Sequence, residues 1–281
     1  MACVIASPSS NSGKTIVSVM LASWARKTNQ NLQSFKIGPD YLDSQLLTEI
    51  SLIPCRNLDL FLCGKEWVKD SFHGYGGVAE LSFIEGVMGL YDGIGSSSQG
   101  SSAQIAKDLG IPIVLIIDAK GQAASLAALI KGFKEFANDI DIAGVVLNKV
   151  NSVRHKYLLA EVLEGIGIKM LGCLPQNDDL KIESQNLGLI PARQIIDIDE
   201  KIEIWAKLAE EYLDLNNFRS LLKPPKKSTA PITRLIEKQE LYSSKKELPI
   251  AIANDQAFHF KYKETEEFLE ALGMPVINWS P

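Results

Sequence analysis

The chain lacks paired cysteines. Its four, Cys3, Cys55, Cys63 and Cys173, fall in neither CxxC nor metal-site spacing, which argues against a disulfide framework or a structural zinc site and reads as reduced thiols. Positive charge is not in excess: 29 Lys and Arg against 34 Asp and Glu leave a formal net charge of −5. No diffuse basic surface therefore invites nucleic acid or an anionic membrane, and an anionic ligand must be met by locally placed lysines and arginines. No apolar run is long enough to span a bilayer, and no signal peptide opens the sequence. The expected compartment is the cytoplasm.

What is present is ordinary globular composition, 46% hydrophobic and 22% charged over 281 residues, enough for one large or two modest domains. Short apolar runs ("CVIAS", "QSFKIG", "LSFIEG", "IPIVLIIDA", "IAGVVLNKV", "IKMLGCLP") alternate with helical patterns such as "TIVSVMLASWARK", "SSAQIAKDLG", "QAASLAALIKGFKEF" and "RHKYLLAEVLEGIG". Runs apolar on successive residues suit strands buried on both faces. The expected fold is α/β, a doubly wound, mostly parallel sheet with ligands gathering at the carboxyl ends of its strands. The pattern breaks near Leu189. An acidic helical stretch, "DEKIEIWAKLAEEYLDL", precedes "KPPKKSTAP", which reads as a linker. A strand, helix and strand then follow in "LPIAIANDQAFHF", "KETEEFLEALG" and "PVINWS". These divide the chain into residues 1–192, 193–247 and 248–281, the last too small to bury a core of its own.

"SPSSNSGKT" follows the first strand and opens a helix, the context of a phosphate loop, G-x-x-x-x-G-K-[ST]. Pro8 stands where the pattern has its first glycine. Proline removes one amide and fixes φ, but the later amides of Ser10, Asn11, Ser12 and Gly13 remain to curl around phosphate. Lys14 can reach the outer phosphates and Thr15 can offer a hydroxyl to Mg²⁺. Ser9 is not the second lysine that a partitioning ATPase would carry. In "VVLNKVN", Asn148 and Lys149 resemble the base-reading NKxD loop, with Asn151 in place of the aspartate. An amide serves adenine, and the missing carboxylate disfavours guanine, so ATP is the expected nucleotide.

Two further strand ends carry acids. "FKIGPDYLDS" supplies Lys36, Asp40 and Asp43, and "FIEGVMGLYDG" supplies Glu85 and Asp92. Carboxylates at neighbouring strand ends beside a phosphate loop can hold Mg²⁺ directly or through water. Asp43, ahead of "SQLLTEI", fits a helix cap equally well, and Lys36 fits either a phosphate or substrate contact or a solvated lysine.

The successive stretches "SSNSGKT", "FKIGPDYLDS", "RNLDLF", "FIEGVMGLYDG", "GSSAQIAK", "VLNKVNSVRH", "LGCLP" and "LGLIPA" resemble the cobyrinic acid a,c-diamide synthase family, in its order and over nearly all of residues 1–192. Hydrogenobyrinic acid and nickel-sirohydrochlorin diamide synthases share these signatures, so the tetrapyrrole is left open. The resemblance implies a P-loop fold of the dethiobiotin synthetase type. It also implies ATP-dependent amidation of two corrinoid carboxylates through a carboxyl phosphate, with nitrogen from glutamine or ammonia. Carried over to this chain, Lys14 stabilises the transferring phosphoryl group, and Thr15, Asp40 and Glu85 hold Mg²⁺. Glu85, Asp43 and Asp92 serve the chemistry, with the two aspartates orienting the acceptor carboxylate or ammonia. Asn148 faces adenine. Lys36, Tyr41, Arg154 and His155 meet the corrinoid, although Arg154 and His155 also suit a helix-capping or surface pair. A homodimer is compatible with all of this, and neither nucleic acid nor membrane is an expected partner.

Two departures stand out. The family's "ERHLGL" segment reads "ESQNLGL" here, with Gln185 and Asn186 in place of arginine and histidine. Residues 248–281 resemble the start of a class I glutamine amidotransferase domain, yet no glycine-rich elbow with a nucleophilic cysteine follows. As given, the chain is expected to use free ammonia and not glutamine. The rival expectations are a dethiobiotin synthetase-like carboxylate ligase and a nucleotide-binding remnant without activity.

Overall fold

A computed structural model describes residues 2–180, 182, 184–185, 188–189, 191, 195–239 and 248–281. The Gln185 side chain, Asn186 and the expected boundary at 192/193 lie outside the described residues.

Strands β1 (Cys3–Ala6), β2 (Leu32–Ile37), β3 (Arg56–Leu58), β4 (Leu81–Glu85), β5 (Ile113–Asp118), β6 (Ile142–Val150) and β7 (Met170–Pro175) form a seven-stranded sheet in the order β3-β2-β4-β1-β5-β6-β7. Every pairing is parallel. Helices α1 (Lys14–Lys27), α2 (Leu42–Ser51), α3 (Gly64–Gly76), α4 (Ser102–Leu109), α5 (Ser125–Phe136) and α6 (Val153–Glu164) supply the crossovers. Successive strand residues serve opposite faces: Cys3 and Ile5 join one apolar cluster, Val4 and Ala6 the other. Six strands answer to the six apolar runs. The seventh, β3, is a three-residue edge strand too short to show a pattern.

A small hairpin, β8 (Ser184–Gln185) with β9 (Gly188–Leu189), follows β7. Next come α7 (Ile198–Tyr212), α8 (Leu215–Leu221) and α9 (Pro231–Gln239), then β10 (Ile250–Ala253), α10 (Lys263–Ala271) and β11 (Val276–Trp279). The last three make a parallel strand–helix–strand unit whose outer side leaves Ile277 and Trp279 about half exposed. No described helix is long and apolar enough to cross a membrane.

The segment read as helix and linker turns out to be built into the first domain. Helix α7 lies along α1, and its Ile202, Trp205, Leu208 and Ala209 are buried in the same cluster as Val17, Met20 and Trp24. This explains why α1 is buried nearly all round: it is enclosed between the sheet and α7. The "KPPKKSTAP" stretch is laid against α3. A Cβ on Gly74 would sit 2.5 Å from Ala230 Cα, and one on Gly77 2.4 Å from Lys227 Cα, so the small residues of "HGYGG" permit the backbones to approach. Arg234 closes this strap with an ion pair to Asp70 at 2.5 Å.

Trp205, 2% exposed, is the largest of the fully buried side chains. Trp205→Ala is expected to lower the urea-unfolding free energy by about 3–5 kcal/mol, the usual loss for a buried large aromatic. A loss below about 1 kcal/mol, typical of a surface position, would mean that α7 is a passive connector.

Candidate active site

The phosphate loop, the "GPDYLD" turn and the "EGVMGLYDG" loop converge where β1, β2 and β4 end. Register creates the meeting: Glu85 is the Cα partner of both Ile5 on β1 and Lys36 on β2, so the last residue of β4 stands between the two neighbouring strand ends. Helix α1 begins at Lys14, directly after Gly13, whose left-handed φ of 111° makes the sharp turn out of the loop. The first-turn amides of α1 have no intrahelical acceptors and aim at the loop, the arrangement that receives phosphate.

Lys14 is buried. Its ammonium donates to Ser7 Oγ at 2.8 Å, to the Met88 carbonyl at 2.6 Å and more weakly to the Ser9 carbonyl at 3.4 Å. Met88 holds a left-handed φ of 48°, which turns its carbonyl toward the lysine. Burial, and then the nearby charge of Lys36, bring the Lys14 pKa down to about 8, although Glu85, Asp43 and Asp92 pull the other way.

Glu85 and Lys36 form the centre. Lys36 Nζ donates to Glu85 Oε1 at 2.8 Å, to Asp43 Oδ2 in a short ion pair, and to the Gly86 carbonyl at 3.3 Å. Thr15 Oγ1 donates to the same Glu85 oxygen at 2.9 Å. Burial disfavours the charged forms of both central groups. For Lys36 the carboxylates Glu85, Asp43 and Asp40 more than offset it, so its pKa rises. For Glu85 burial prevails over Lys36, so its pKa rises too. Glu85 Oε2 is buried without a hydrogen-bond partner; the Ser18 hydroxyl, likewise unpaired, lies near enough to ease its charge.

These placements give several of the expected site residues partners within the protein. Lys36, expected at phosphate or substrate, has all three ammonium hydrogens directed at inner oxygens, is 3% exposed, and binds two strand ends together. Asn148, expected at adenine, is hydrogen-bonded within the protein. Its Nδ2 donates to the Ser12 carbonyl at 2.9 Å and its Oδ1 accepts the Lys149 amide, and a Cβ on Gly13 would lie 2.4 Å from that Nδ2. Asn148 therefore braces the phosphate loop, and glycine is required at 13 for close approach as well as for φ. His155 is turned inward, with Nε2 on the Gln122 carbonyl at 2.7 Å and Nδ1 facing the Asn151 amide at 3.4 Å. The Tyr41 ring stacks on Tyr262 and Phe260 from the C-terminal unit. Arg154, by contrast, is exposed at the start of α6.

Asp40 caps α2 through the Asp43 amide at 3.1 Å. Asp92 closes its own turn on the Gly89 amide at 2.8 Å while lending negative potential to Lys14. Gly89 is demanded by packing, since a Cβ there would meet the Pro8 carbonyl at 2.6 Å. Loop Gly86–Leu90 is zipped onto β1 and the phosphate loop by Gly86 N to Ile5 O and Leu90 N to Ser7 O. Ser10 and Asn11 sit exposed on the rim, and the Ser12 hydroxyl turns inward onto the Ser9 carbonyl at 3.0 Å.

The donors suit a divalent cation that keeps phosphate and water for most of its shell. Thr15 Oγ1 and the orphaned Glu85 Oε2 are hard oxygens at the helix start. The described residues contain no cluster of three His, Cys, Asp or Glu able to cage a metal by themselves. Asp40 adds its negative charge near Lys36 and helps to raise the lysine's pKa. Reading the sequence had missed Ser7, the Met88 carbonyl and the Lys149–Asp118 ion pair at 2.6 Å that anchors the β6 loop. Asp118 and Asn148 are register partners on β5 and β6, a signal visible only after strand pairing is known.

A P-loop on a parallel sheet with strand-end acids defines a nucleotide-binding protein, and comparison narrows the class. Residues 3–190 match the family described as CobQ/CobB/MinD/ParA nucleotide binding domain (CbiA), and the chain belongs to that family. Among curated relatives, it is 41% identical over 280 residues to a protein of Caldanaerobacter subterraneus subsp. tengcongensis, covering 99% of this chain and 60% of that one. It is 36% identical over 282 residues to one of Synechococcus sp., covering 100% and 61%. With a protein of Clostridium tetani it shares 38% over 271 residues, covering 96% and 59%. All three are named cobyrinate a,c-diamide synthase. The chain thus spans about 60% of the length of the relatives it matches.

Because Lys14 is cationic below its pKa of about 8 and neutral above it, ADP affinity by titration calorimetry is expected to fall on the order of tenfold between pH 7 and pH 9. A flat profile would show that the Lys14 charge does not hold phosphate.

Proposed function

We propose that this chain carries the nucleotide-binding, carboxylate-activating part of a cobyrinate a,c-diamide synthase, an ATP-dependent amide ligase. The observation that carries the reading is the Thr15–Glu85–Lys36–Asp43 chain of contacts set beside Lys14 at adjoining strand ends. Curated relatives of that name, matched along almost the whole chain, support it.

A carboxylate is a poor acyl donor because its leaving group would be oxide. ATP removes the obstacle: a carboxylate oxygen attacks the γ-phosphorus, the β–γ bridging bond breaks, and ADP departs. Ammonia then adds to the acyl carbon, loses a proton, and expels phosphate with the former carboxylate oxygen. Lys14, held by three oxygens, is the cation that exchanges those partners for the phosphoryl oxygens as negative charge moves toward the leaving group. Thr15 and Glu85 would hold Mg²⁺, which when bound neutralises charge on the outer phosphates. Lys36 keeps Glu85 and Asp43 at fixed separation. Asp43, half-buried against Lys36, and Asp92, exposed at the loop tip, orient the acceptor or take the proton that ammonia releases. Arg154, exposed at the start of α6, is a cation available to a polycarboxylate corrinoid. Asn148 and His155 act indirectly, bracing the phosphate loop and the 119–122 turn. Nitrogen comes from glutamine or ammonia, and the reaction belongs in the cytoplasm.

Incubating cobyrinate labelled with ¹⁸O in its carboxylates with ATP, Mg²⁺ and an ammonium salt tests this. The expected result is one ¹⁸O transferred to inorganic phosphate per amide formed, alongside ADP. Label appearing in AMP, or amide formed without label in phosphate, would overturn the carboxyl-phosphate route. ATP turnover with diaminopelargonate and bicarbonate but not with cobyrinate would favour a dethiobiotin synthetase-like ligase.

A further inference from the structure

The C-terminal unit, residues 248–281, touches the nucleotide-binding body at the turn that carries Asp40 and Asp43. That turn begins at Gly38, whose φ is 81°, and its backbone is pinned from below by β3: Asn57 Nδ2 donates to the Gly38 carbonyl at 2.7 Å and to the Asp40 carbonyl at 2.9 Å. The next residue back along β3 is Arg56, which is buried. Its two terminal nitrogens grip Glu267 of α10 at 2.8 and 2.7 Å, Glu264 lies at 3.5 Å, and the guanidinium rests 3.9 Å from the centre of the Tyr75 ring. A bidentate arginine pair fixes direction as well as distance.

The same unit also holds the turn from outside. Tyr41 and Gln45 are four residues apart at the start of α2 and so share a face. Tyr41 stacks on Tyr262 and Phe260 with ring centres 4.6 and 5.4 Å away. Gln45 Nε2 donates to the His259 carbonyl at 2.8 Å, and its Oε1 meets His259 Nδ1 at 3.1 Å. Asp43, between them in sequence, points inward to Lys36. One turn of helix therefore has its acid in the reaction centre and its flanking side chains in the C-terminal unit. A cavity of about 230 Å³ lined by Gln45, Asn57, Asn254, His259 and Tyr262 separates the two bodies beside these contacts. The unit is thus joined through discrete polar and aromatic anchors around an open space.

We propose that docking of residues 248–281 through Arg56–Glu267 sets the Asp40–Asp43 turn in the geometry that pairs Asp43 with Lys36. Arg56 and Tyr41 are then positioning residues that report the state of the C-terminal unit to the nucleotide site. The inference goes beyond the reaction proposed above and needs neither corrinoid nor nitrogen donor to be tested.

Hydrogen exchange on the full chain without ligands, comparing wild type with Arg56→Met and Glu267→Ala, reads it directly. Amides of residues 38–45 are expected to exchange at least tenfold faster in both variants, with strands β1, β4 and β5 unchanged. Mg²⁺–ADP affinity is expected to weaken severalfold in parallel. If Arg56→Met does not fold, Glu267→Ala carries the test alone, because Glu267 lies outside the nucleotide-binding body. Faster exchange in 254–267 with residues 38–45 still protected would show docking without coupling and overturn the proposal. Unchanged exchange in both regions would overturn it as well.

Discussion

One buried ammonium organises this molecule's reactive edge. Lys36 sits between Glu85 from β4 and Asp43 from the turn after β2, and Thr15 from the phosphate loop shares the Glu85 oxygen. Three chain segments distant in sequence are thereby fixed to one another by charge. Such a pair is poorly justified as a source of stability, because removing both ions from water costs about as much as their attraction returns. Its value is positional. Breaking one side would leave an uncompensated buried charge, typically at a cost of about 3–5 kcal/mol, so the arrangement tolerates few alternatives. That stringency keeps the carboxylates within reach of the place where α1 aims its amides.

The proline in the phosphate loop is accommodated by neighbours that stabilise the rest of the loop. The Ser9 carbonyl gathers the hydroxyls of Ser7 and Ser12, Asn148 holds the Ser12 carbonyl from the far side, and the Pro8 carbonyl is packed against Gly89. The curve that a first glycine would allow by its own freedom is instead imposed by contacts from β6 and from the loop after β4. Rigidity of this kind suits a site that must place a lysine, a hydroxyl and a carboxylate around one phosphoryl group.

Much of this was legible in the sequence, for a physical reason. Parallel strands buried on both faces betray themselves as continuous apolar runs, and a strand-to-helix junction carrying GKT announces its ligand. The acids of "GPDYLDS" and "EGVMGLYDG" were found because glycines cluster around them. Less legible were contacts made by backbone atoms or by register. Met88 holds Lys14 with its carbonyl, which any residue possesses. The Lys36–Glu85 contact was not legible, because strand pairing cannot be read from spacing. Asn148 was singled out by a motif, and its contact with Ser12 emerges only from the packing of β6 against the phosphate loop. Helix α7 was separated from the first domain because its acidic surface is what the sequence displays, while Trp205 and Leu208 face α1. Arg56 stood in the "RNLDLF" stretch, but nothing there showed its partner, which lies more than two hundred residues away on α10.

Glu85 joins Thr15 of the phosphate loop to Lys36, and in the proposed reaction the same carboxylate would hold Mg²⁺. The most direct measurement is ADP affinity with and without Mg²⁺ for wild type and Glu85→Gln, a substitution that preserves shape and removes charge. Mg²⁺ is expected to strengthen ADP binding in the wild type, and this increment is expected to disappear in Glu85→Gln while metal-free ADP affinity is retained or improved. An undiminished Mg²⁺ increment in Glu85→Gln would contradict that role for Glu85.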